Sequence, residues 1–266
     1  MNDITIGKSD LLMMTFDALR FDVAQQALNE GMTPYLKDLI GGMWEPRHSP
    51  GSFTYAAHAA FFAGFWPTPT VPGPHPRPFA LRFAGSRSID KATCLLDGDN
   101  IVDGLRRRGY YSICIGGVGY FNKLNPLGLV FPSLFERSEW RPTFAVSEVH
   151  STREQVCAAV TAIHEAPPDR PLFFFVNLSA LHSPTHIYVS GERVDSVKTQ
   201  TVALAYVDQQ LPPLFAALQQ RGRGGRAYLM SDHGTLFGED GYTGHRVGHP
   251  NVWTIPYAEH TWGPAS

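Results

Sequence analysis

The chain has 266 residues, 43% of them hydrophobic, and its 22 lysines and arginines nearly balance 24 aspartates and glutamates. This length can bury one large α/β core, or at most two small ones. The net charge of −2 gives no attraction for nucleic acid or an anionic membrane, so we expect neither partner. No apolar run approaches the ~20 residues of a membrane helix, and residues 1–8 show no signal-peptide pattern. We therefore expect a cytoplasmic protein.

Strand-like and helix-like segments alternate along the chain. Asp10 to Phe16 is a continuous apolar run that ends at Asp17, and a helical pattern then runs through Leu28 and stops at Gly31. Further strands are predicted at 110–115, 171–178, 227–230 and 252–257, and further helices at 33–40, 55–63, 101–108, 148–165, 199–211 and 214–220. This alternation predicts one α/β/α sandwich domain over residues 1–266, with a mostly parallel central sheet.

A glycine-rich stretch, Ser231 to His249, holds the strongest candidates for metal ligands. Asp232 and His233 follow a buried strand, and Gly234 lets the backbone turn so that both side chains can face one point. Carboxylate oxygen and imidazole nitrogen together form a zinc-type ligand set. His245 and His249 are spaced so that one helical turn or a compact loop can present both. The alternative is a surface loop with solvated histidines.

Other polar residues follow predicted strands or begin a predicted helix. Asp17 ends the first strand, where it is either a metal ligand or a solvated helix cap. Thr54 lies at or near the N-cap of a small-residue helix, which suits a capping residue and also a nucleophile that binds an anion. His182 and His186 flank a Ser-Pro turn after the most apolar strand. They are either structural histidines or metal ligands.

Taken together, these motifs resemble the alkaline phosphatase and sulfatase superfamily. The matching pieces occur in the family's order and cover most of the chain. They are Asp-x-Leu-Arg-x-Asp at 17–22, a nucleophile turn and small-residue helix ending in Ala-Gly-x-x-Pro at 54–67, an apolar strand with a downstream His-x-Pro at 173–184, Ala-Tyr-Val-Asp at 205–208, and Ser-Asp-His-Gly with Gly-Glu-x-Gly at 231–241.

The resemblance implies roles for individual residues. A first metal would be held by Asp17, Thr54, Asp232 and His233, with Thr54 as the nucleophile. A second metal or the phosphoryl oxygens would be bound by three histidines that resemble those of phosphoethanolamine transferases, namely His182, His186 and His245. His58 lies four residues after Thr54, where nucleotide pyrophosphatase-like members also have histidine, and it joins Thr54, His182 and His245 as a catalytic candidate. His249 has no counterpart in the family and stays a metal-ligand candidate on its spacing alone.

The departures from the family narrow the expected chemistry. Residues 52–58 lack the proline and arginine of the sulfatase formylglycine motif, so this maturation is not expected. The nitrogen-containing ligand set suits zinc, or manganese, rather than calcium, with one or two ions bound. We expect a metal-dependent hydrolase or group transferase acting on a small-molecule phosphate ester, phosphodiester or phosphonate. The alternatives are a sulfate-ester hydrolase without formylglycine and a catalytically inactive metal-binding member.

Two segments are predicted to select the substrate. Trp66 to Pro78 carries six prolines in thirteen residues, which excludes regular structure and indicates a rigid surface loop near the site. Gly116 to Pro142 is aromatic-rich and irregular, and its position in the fold does not follow from the sequence.

Overall fold

A computed structural model of the protein describes residues 5–64, 73–74 and 99–263. The strands are β1 Asp10–Phe16, β2 Glu45–His48, β3 Gly73–Pro74, β4 Tyr111–Ile115, β5 Arg137–Glu139, β6 Leu172–Leu178, β7 Gly225–Ser231, β8 Leu236–Phe237, β9 Thr243–Gly244, β10 Val247–Gly248 and β11 Thr254–Trp262. The helices are α1 Phe21–Asn29, α2 Pro34–Ile40, α3 Thr54–Ala63, α4 Ile101–Arg106, α5 Pro126–Leu129, α6 Ser151–Glu165, α7 Val197–Gln210, α8 Pro212–Gln220 and α9 Pro250–Trp253.

Seven strands form the central sheet, in the order β2-β11-β7-β1-β6-β4-β5. Strands β7, β1, β6, β4 and β5 are mutually parallel, whereas β11 runs antiparallel to both β7 and β2. The predicted mostly parallel sheet is therefore confirmed. The last strand was placed too early by the sequence pattern, because α9 occupies Pro250–Trp253 and β11 begins at Thr254.

Helices pack on both faces of the sheet, which explains why β1 and β6 are buried almost along their whole length and are mostly apolar. Alternate residues of β1 face opposite sides. Leu12, Met14 and Phe16 pack in the layer that contains α1, α2, α6, α7 and α8. Leu11 packs on the other side, with α3 and α4. This arrangement confirms the predicted α/β/α fold class, while a single domain over residues 1–266 stays a prediction.

The segment 116–142 contributes to the layer around α3. Phe121, Phe131 and Phe135 are buried there and pack against Phe62 and Phe175. The aromatic residues of this segment therefore form core. Of the proline-rich stretch 66–78, only β3 is described, and it pairs with β10 close behind His245. The rest of that predicted loop lies outside the described residues.

The carboxyl ends of three adjacent strands meet at one edge of the sheet. Phe16 in β1 pairs with Ser231 of β7 on one side and with Leu178 of β6 on the other. Residues that follow these strands therefore emerge side by side, at the edge where open α/β sheets bind their ligands. In the part of the chain that the structure describes, we find no helix with the length and apolar character of a membrane span.

Candidate metal and catalytic site

Three buried side chains converge at this edge of the sheet. Asp17 follows β1, and Asp232 and His233 follow β7; all three are fully excluded from solvent. One ligand atom from each lies within 4.8 Å of the others. Two carboxylates and an imidazole in this arrangement can hold a divalent cation.

The hydrogen bonds around these residues leave one donor atom of each directed to the shared space. Asp17 Oδ2 accepts from Asn177 Nδ2 at 2.9 Å, while Asp17 Oδ1 is buried without a hydrogen-bond partner. Asp232 Oδ1 accepts from the backbone N–H groups of Ala18 and His233, both at 3.0 Å, while its Oδ2 is buried and has no partner. His233 Nδ1 donates to the Gly234 carbonyl at 2.8 Å, which makes Nε2 the ring nitrogen that carries the lone pair. Two buried carboxylate oxygens without donors are costly unless a cation meets them, so the residues fit a bound metal.

Thr54 places a hydroxyl group beside the three ligands. It is the first residue of α3, with Phe53 at the N-cap, so the predicted position is correct to within one residue. Its Oγ1 lies 3.3 Å from His233 Nε2 and 3.5 Å from Asp17 Oδ2, and no side chain caps this helix. The hydroxyl therefore faces the metal ligands and does not cap its own helix.

The buried carboxyl groups hold protons more tightly than exposed ones. Burial, and then the charge of Asp232, raises the pKa of Asp17 to about 6. Burial likewise raises the pKa of Asp232 to about 6 and lowers the pKa of His233 to about 4. A metal ion at this site therefore competes with carboxyl protons in weakly acidic solution, and much less with a proton on His233.

We expect metal affinity to fall as pH decreases below about 6, because the protons of Asp17 and Asp232 must leave before a cation binds. Displacing two protons should weaken association by up to about 100-fold per pH unit in that range, with little change between about pH 7 and 8. Competition titrations of the metal-free protein with zinc and a calibrated chelator measure this. Equal affinity from about pH 5 to 8 would contradict the prediction.

His58 is close to the site but has both ring nitrogens occupied. Its Nδ1 donates to the Thr54 carbonyl at 2.7 Å, and its Nε2 lies 3.1 Å from Thr15 Oγ1. Its ring is surrounded by Phe61, Phe62, Phe121, Phe131 and Phe175. Burial lowers the pKa of His58 to about 3, which keeps it neutral. The geometry makes His58 a residue that positions the backbone of Thr54.

Asn177 and Thr15 belong to the same network, and the sequence motifs did not point to either of them. They are opposite each other in the register of β6 and β1. Asn177 Nδ2 donates to Thr15 Oγ1 at 3.2 Å as well as to Asp17, and Asn177 Oδ1 accepts from the Val118 N–H at 3.1 Å. The available signal was an amide near the end of the most apolar strand in the chain, where a polar side chain needs a buried partner.

His182 and His245 extend the site outward from His233. The ring centroids of His233 and His245 are 4.6 Å apart, and those of His182 and His245 are 5.5 Å apart. Both residues are partly exposed, as groups that meet a substrate must be. The structure thus brings these two histidines to the buried ligands, as the sequence motifs predict.

His186 and His249 are not part of the metal group found among the described residues. His186 Nδ1 is 2.8 Å from Asp195 Oδ1. His249 Nδ1 accepts from the Asn251 N–H at 3.0 Å and so caps α9, and its Nε2 lies 3.2 Å from Asp240 Oδ2. The structure therefore gives each of these predicted ligands another partner.

A buried arginine joins two of the recognised motifs. The Arg20 side chain is 4% exposed and forms ion pairs with Asp22 and Glu239. Its guanidinium also lies 5.4 Å from the ring centroid of Phe237. Because charges this deeply buried need partners, the pairing anchors the loop after β7 to the loop after β1. It holds the segment that leads to His245 against the metal ligands.

The fold and the buried ligand group together define a class of α/β proteins with a metal site at the carboxyl edge of a parallel sheet. Neither a protein-family model nor a curated protein sequence matches the chain. Solved structures match its fold. The C-terminal periplasmic domain of phosphoethanolamine transferase EptC from Campylobacter jejuni is 15% identical, with a TM-score of 0.64 over 96% of this chain and 79% of that chain.

Two further structures have the same fold. The periplasmic domain of EptC from Escherichia coli, in complex with zinc, is 13% identical, with a TM-score of 0.63 over 96% of this chain and 73% of that one. A protein of the alkaline phosphatase superfamily from Vibrio parahaemolyticus is 20% identical, with a TM-score of 0.59 over 97% of this chain and 60% of that one. The chain therefore has the fold of the alkaline phosphatase superfamily, and the resemblance found in the motifs is confirmed at the level of fold.

The predicted cytoplasmic location is wrong in the light of these structures, because the matching EptC domains from both organisms are periplasmic. The expected absence of a membrane partner is not supported either. The integral membrane protein EptA from Neisseria meningitidis is 15% identical, with a TM-score of 0.62 over 97% of this chain and 49% of that one.

Proposed function

We propose that the protein is a metal-dependent hydrolase or group transferase acting on a phosphate ester, phosphodiester or phosphonate, with Thr54 as the nucleophile. The observation that carries this proposal is the position of Thr54 Oγ1, 3.3 Å from His233 Nε2 and 3.5 Å from Asp17 Oδ2. A hydroxyl group buried among cation ligands, and free of any capping role, is placed to become a nucleophile. The matched structures include transferases, which supports ester transfer or hydrolysis as the general chemistry.

The ligands would be Asp17, Asp232 and His233, with Thr54 Oγ1 beside them. A bound cation would lower the pKa of the Thr54 hydroxyl and offset negative charge on the phosphoryl oxygens. The nitrogen and oxygen donors suit zinc, and the zinc complex of the E. coli EptC domain supports that choice, with manganese as the alternative.

The chain's own residues supply orientation and charge compensation. His58 holds the Thr54 carbonyl, and Asn177 fixes the rotation of the Asp17 carboxylate, so that both reactive groups are preorganised. Thr54 Oγ would attack phosphorus, the bond from phosphorus to the ester oxygen would break with release of the alcohol, and a phosphothreonine would form. His182 and His245 would donate hydrogen bonds to the phosphoryl oxygens as negative charge develops there. Water or an acceptor hydroxyl would then release the group.

We also propose an extracytoplasmic location and an ester substrate derived from a lipid headgroup or a similar small molecule. The support is the periplasmic position of the matched EptC domains and the membrane association of EptA.

A panel of aryl esters tests the function. The zinc-loaded wild type should cleave at least one phosphate monoester, phosphodiester or phosphonate ester, and adding a chelator should abolish the turnover. A sulfate ester belongs in the same panel. Dominant sulfate turnover would show a sulfatase without formylglycine. No turnover by folded, metal-loaded protein would show a metal-binding member that is catalytically inactive.

A further inference from the structure

A cavity of about 470 Å³ lies on one flank of the metal site. We call it the flank pocket. Its wall includes Leu181 and Ser183, the two neighbours of His182, and Thr235, two residues after His233. His186 and Asp195 form a polar part of the wall, and Leu236 and Phe237 contribute an apolar part. The pocket is therefore built largely from the segments that follow β6 and β7, the same segments that carry the site histidines.

One wall of the flank pocket is hydrogen-bonded to the backbone of the metal site. Gln200, which lines the pocket, donates from Nε2 to the Ala18 carbonyl at 2.9 Å and to the Leu181 carbonyl at 3.1 Å. The N–H of Ala18 in turn donates to Asp232 Oδ1. A molecule in the pocket would therefore lie against a wall that is fixed relative to the metal ligands.

His186 and Asp195 form a hydrogen-bonded dyad in this wall. Asp195 Oδ1 accepts from His186 Nδ1 at 2.8 Å and from the backbone N–H groups of Thr185 and His186, both at 2.9 Å. Burial opposes ionisation of Asp195, but these hydrogen bonds, with one from Ser183, hold its pKa below the ordinary value. An ionised carboxylate fixes Nδ1 as a donor and leaves Nε2 to exchange a proton. The His186 side chain is 32% exposed, so a ligand in the pocket can reach it.

The dyad has no role in the chemistry described so far. His186 is outside the metal group, and Asp195 contacts none of the metal ligands among the contacts that the structure describes. An ester reaction nevertheless needs proton transfer beyond the activation of Thr54. An alcohol that leaves as an alkoxide must gain a proton, and a hydroxyl group that attacks phosphorus must lose one.

We propose that the flank pocket binds the alcohol part of the ester, and that His186, held by Asp195, exchanges the proton of that alcohol's hydroxyl group. The proposal rests on the proposed function. In the first step, the Thr54 alkoxide forms the Oγ–P bond, the bond from phosphorus to the alcohol oxygen breaks, and the proton on His186 Nε2 passes to that oxygen. In the second step, the acceptor hydroxyl gives its proton to Nε2 and bonds to phosphorus, and the Oγ–P bond breaks.

The pocket's composition fits a hydroxylated alcohol of modest size, such as a glycerol or sugar unit. Thr235 and Thr243 offer hydroxyl groups along the wall, and Arg193 offers donors. Leu236 and Phe237 provide a surface for the carbon skeleton. Hydrogen-bonding groups beside an apolar surface are the usual features of a site that orients a small polar ligand.

The test separates proton transfer from a purely structural role by varying the leaving group. A graded set of esters that differ only in their alcohol (4-nitrophenol, phenol and benzyl alcohol) is assayed with wild type and His186→Gln. The ester class is whichever one the wild type cleaves. A nitrophenolate departs without a proton, whereas a benzyl alkoxide does not. We therefore expect kcat/KM, which reports the step that releases the alcohol, to fall by about 10²–10⁴-fold for the benzyl ester and by no more than about tenfold for the nitrophenyl ester.

Asp195→Asn is the second variant. It should also slow the benzyl ester more than the nitrophenyl ester, but by a smaller factor than His186→Gln, because the amide oxygen can still accept from Nδ1. His164→Gln replaces an exposed histidine on α6 and is the matched control. It should leave the difference between the benzyl and nitrophenyl esters unchanged. If His186→Gln lowered kcat/KM by the same factor for every alcohol, the inference would be overturned, and the dyad would only support the loop. Failure of the wild type to cleave any ester would overturn the proposed function itself, which is a different result.

Discussion

Thr54→Ala is expected to lower kcat for the active ester by about 10⁴–10⁶-fold, the loss seen when a unit of covalent catalysis is broken. Alanine removes the Oγ1 atom that lies among the metal ligands and leaves Asp17, Asp232 and His233 in place. The variant should therefore keep its bound metal. Its melting temperature should stay close to that of the wild type, because the hydroxyl group does not cap α3. The measurements are turnover, metal content and thermal unfolding of the same preparation.

Two further variants make the result specific to this oxygen. Thr54→Ser keeps a hydroxyl group at the same position and should restore part of the activity. Ser52→Ala removes another buried hydroxyl group of this turn and should only weaken turnover. A loss of stability of about 1 kcal/mol with turnover nearly intact in Thr54→Ala would identify Thr54 as a helix-start residue without catalytic function.

The elements that carry the site could be predicted because their sequence signals are strong and local. β1 and β6 are buried on both faces, so they are mostly apolar, and polar residues directly after them mark the carboxyl edge. The family resemblance, together with that logic, predicts that Asp17, Thr54, Asp232 and His233 surround one metal. It also gave the α/β/α fold class.

The residues that were assigned differently depend on contacts that spacing does not determine. His186 was grouped with His182 because the two flank one turn, but its partner Asp195 lies nine residues further along the chain. His249 follows His245 at a suitable distance, yet it caps α9. Asn177 was missed because its role depends on the register between β1 and β6, and a single strand does not encode that pairing.

Asp232→Asn should abolish tight metal binding, and with it turnover, while stabilising the metal-free protein at neutral pH. The amide cannot supply the charge of the Asp232 Oδ2 atom, which is buried without a hydrogen-bond partner. The asparagine side chain nevertheless has a shape that suits the metal-free site. The amide oxygen of the variant can keep the hydrogen bonds from the N–H groups of Ala18 and His233. The new N–H donor would replace an oxygen that lies 3.4 Å from His233 Nε2, an acceptor nitrogen that also lies 3.3 Å from Thr54 Oγ1.

The direction of the stability change follows from the pKa of the aspartate. Because burial raises the pKa of Asp232 from 3.8 to about 6, the folded metal-free protein holds that proton more tightly than the unfolded chain does. The stability associated with the protonated carboxyl group is present below the unfolded pKa and is lost as pH rises through about 6. Asparagine does not titrate, so the variant should gain on the wild type as pH rises from about 4 to 6, by a free energy of unfolding on the order of 3 kcal/mol in total, of which about half falls between about pH 5 and 8.

Urea unfolding of metal-free wild type and Asp232→Asn at about pH 5 and 8, with elemental analysis of the zinc-loaded forms, measures both effects. Asp208→Asn is the matched control. Asp208 is also buried and accepts the backbone N–H groups of Tyr35 and Leu36, so its replacement should leave metal content unchanged. A metal-free variant less stable than the wild type at about pH 8 would show that the Asp232 carboxylate is compensated by contacts within the protein alone. A variant that retained full zinc would remove Asp232 from the ligand set.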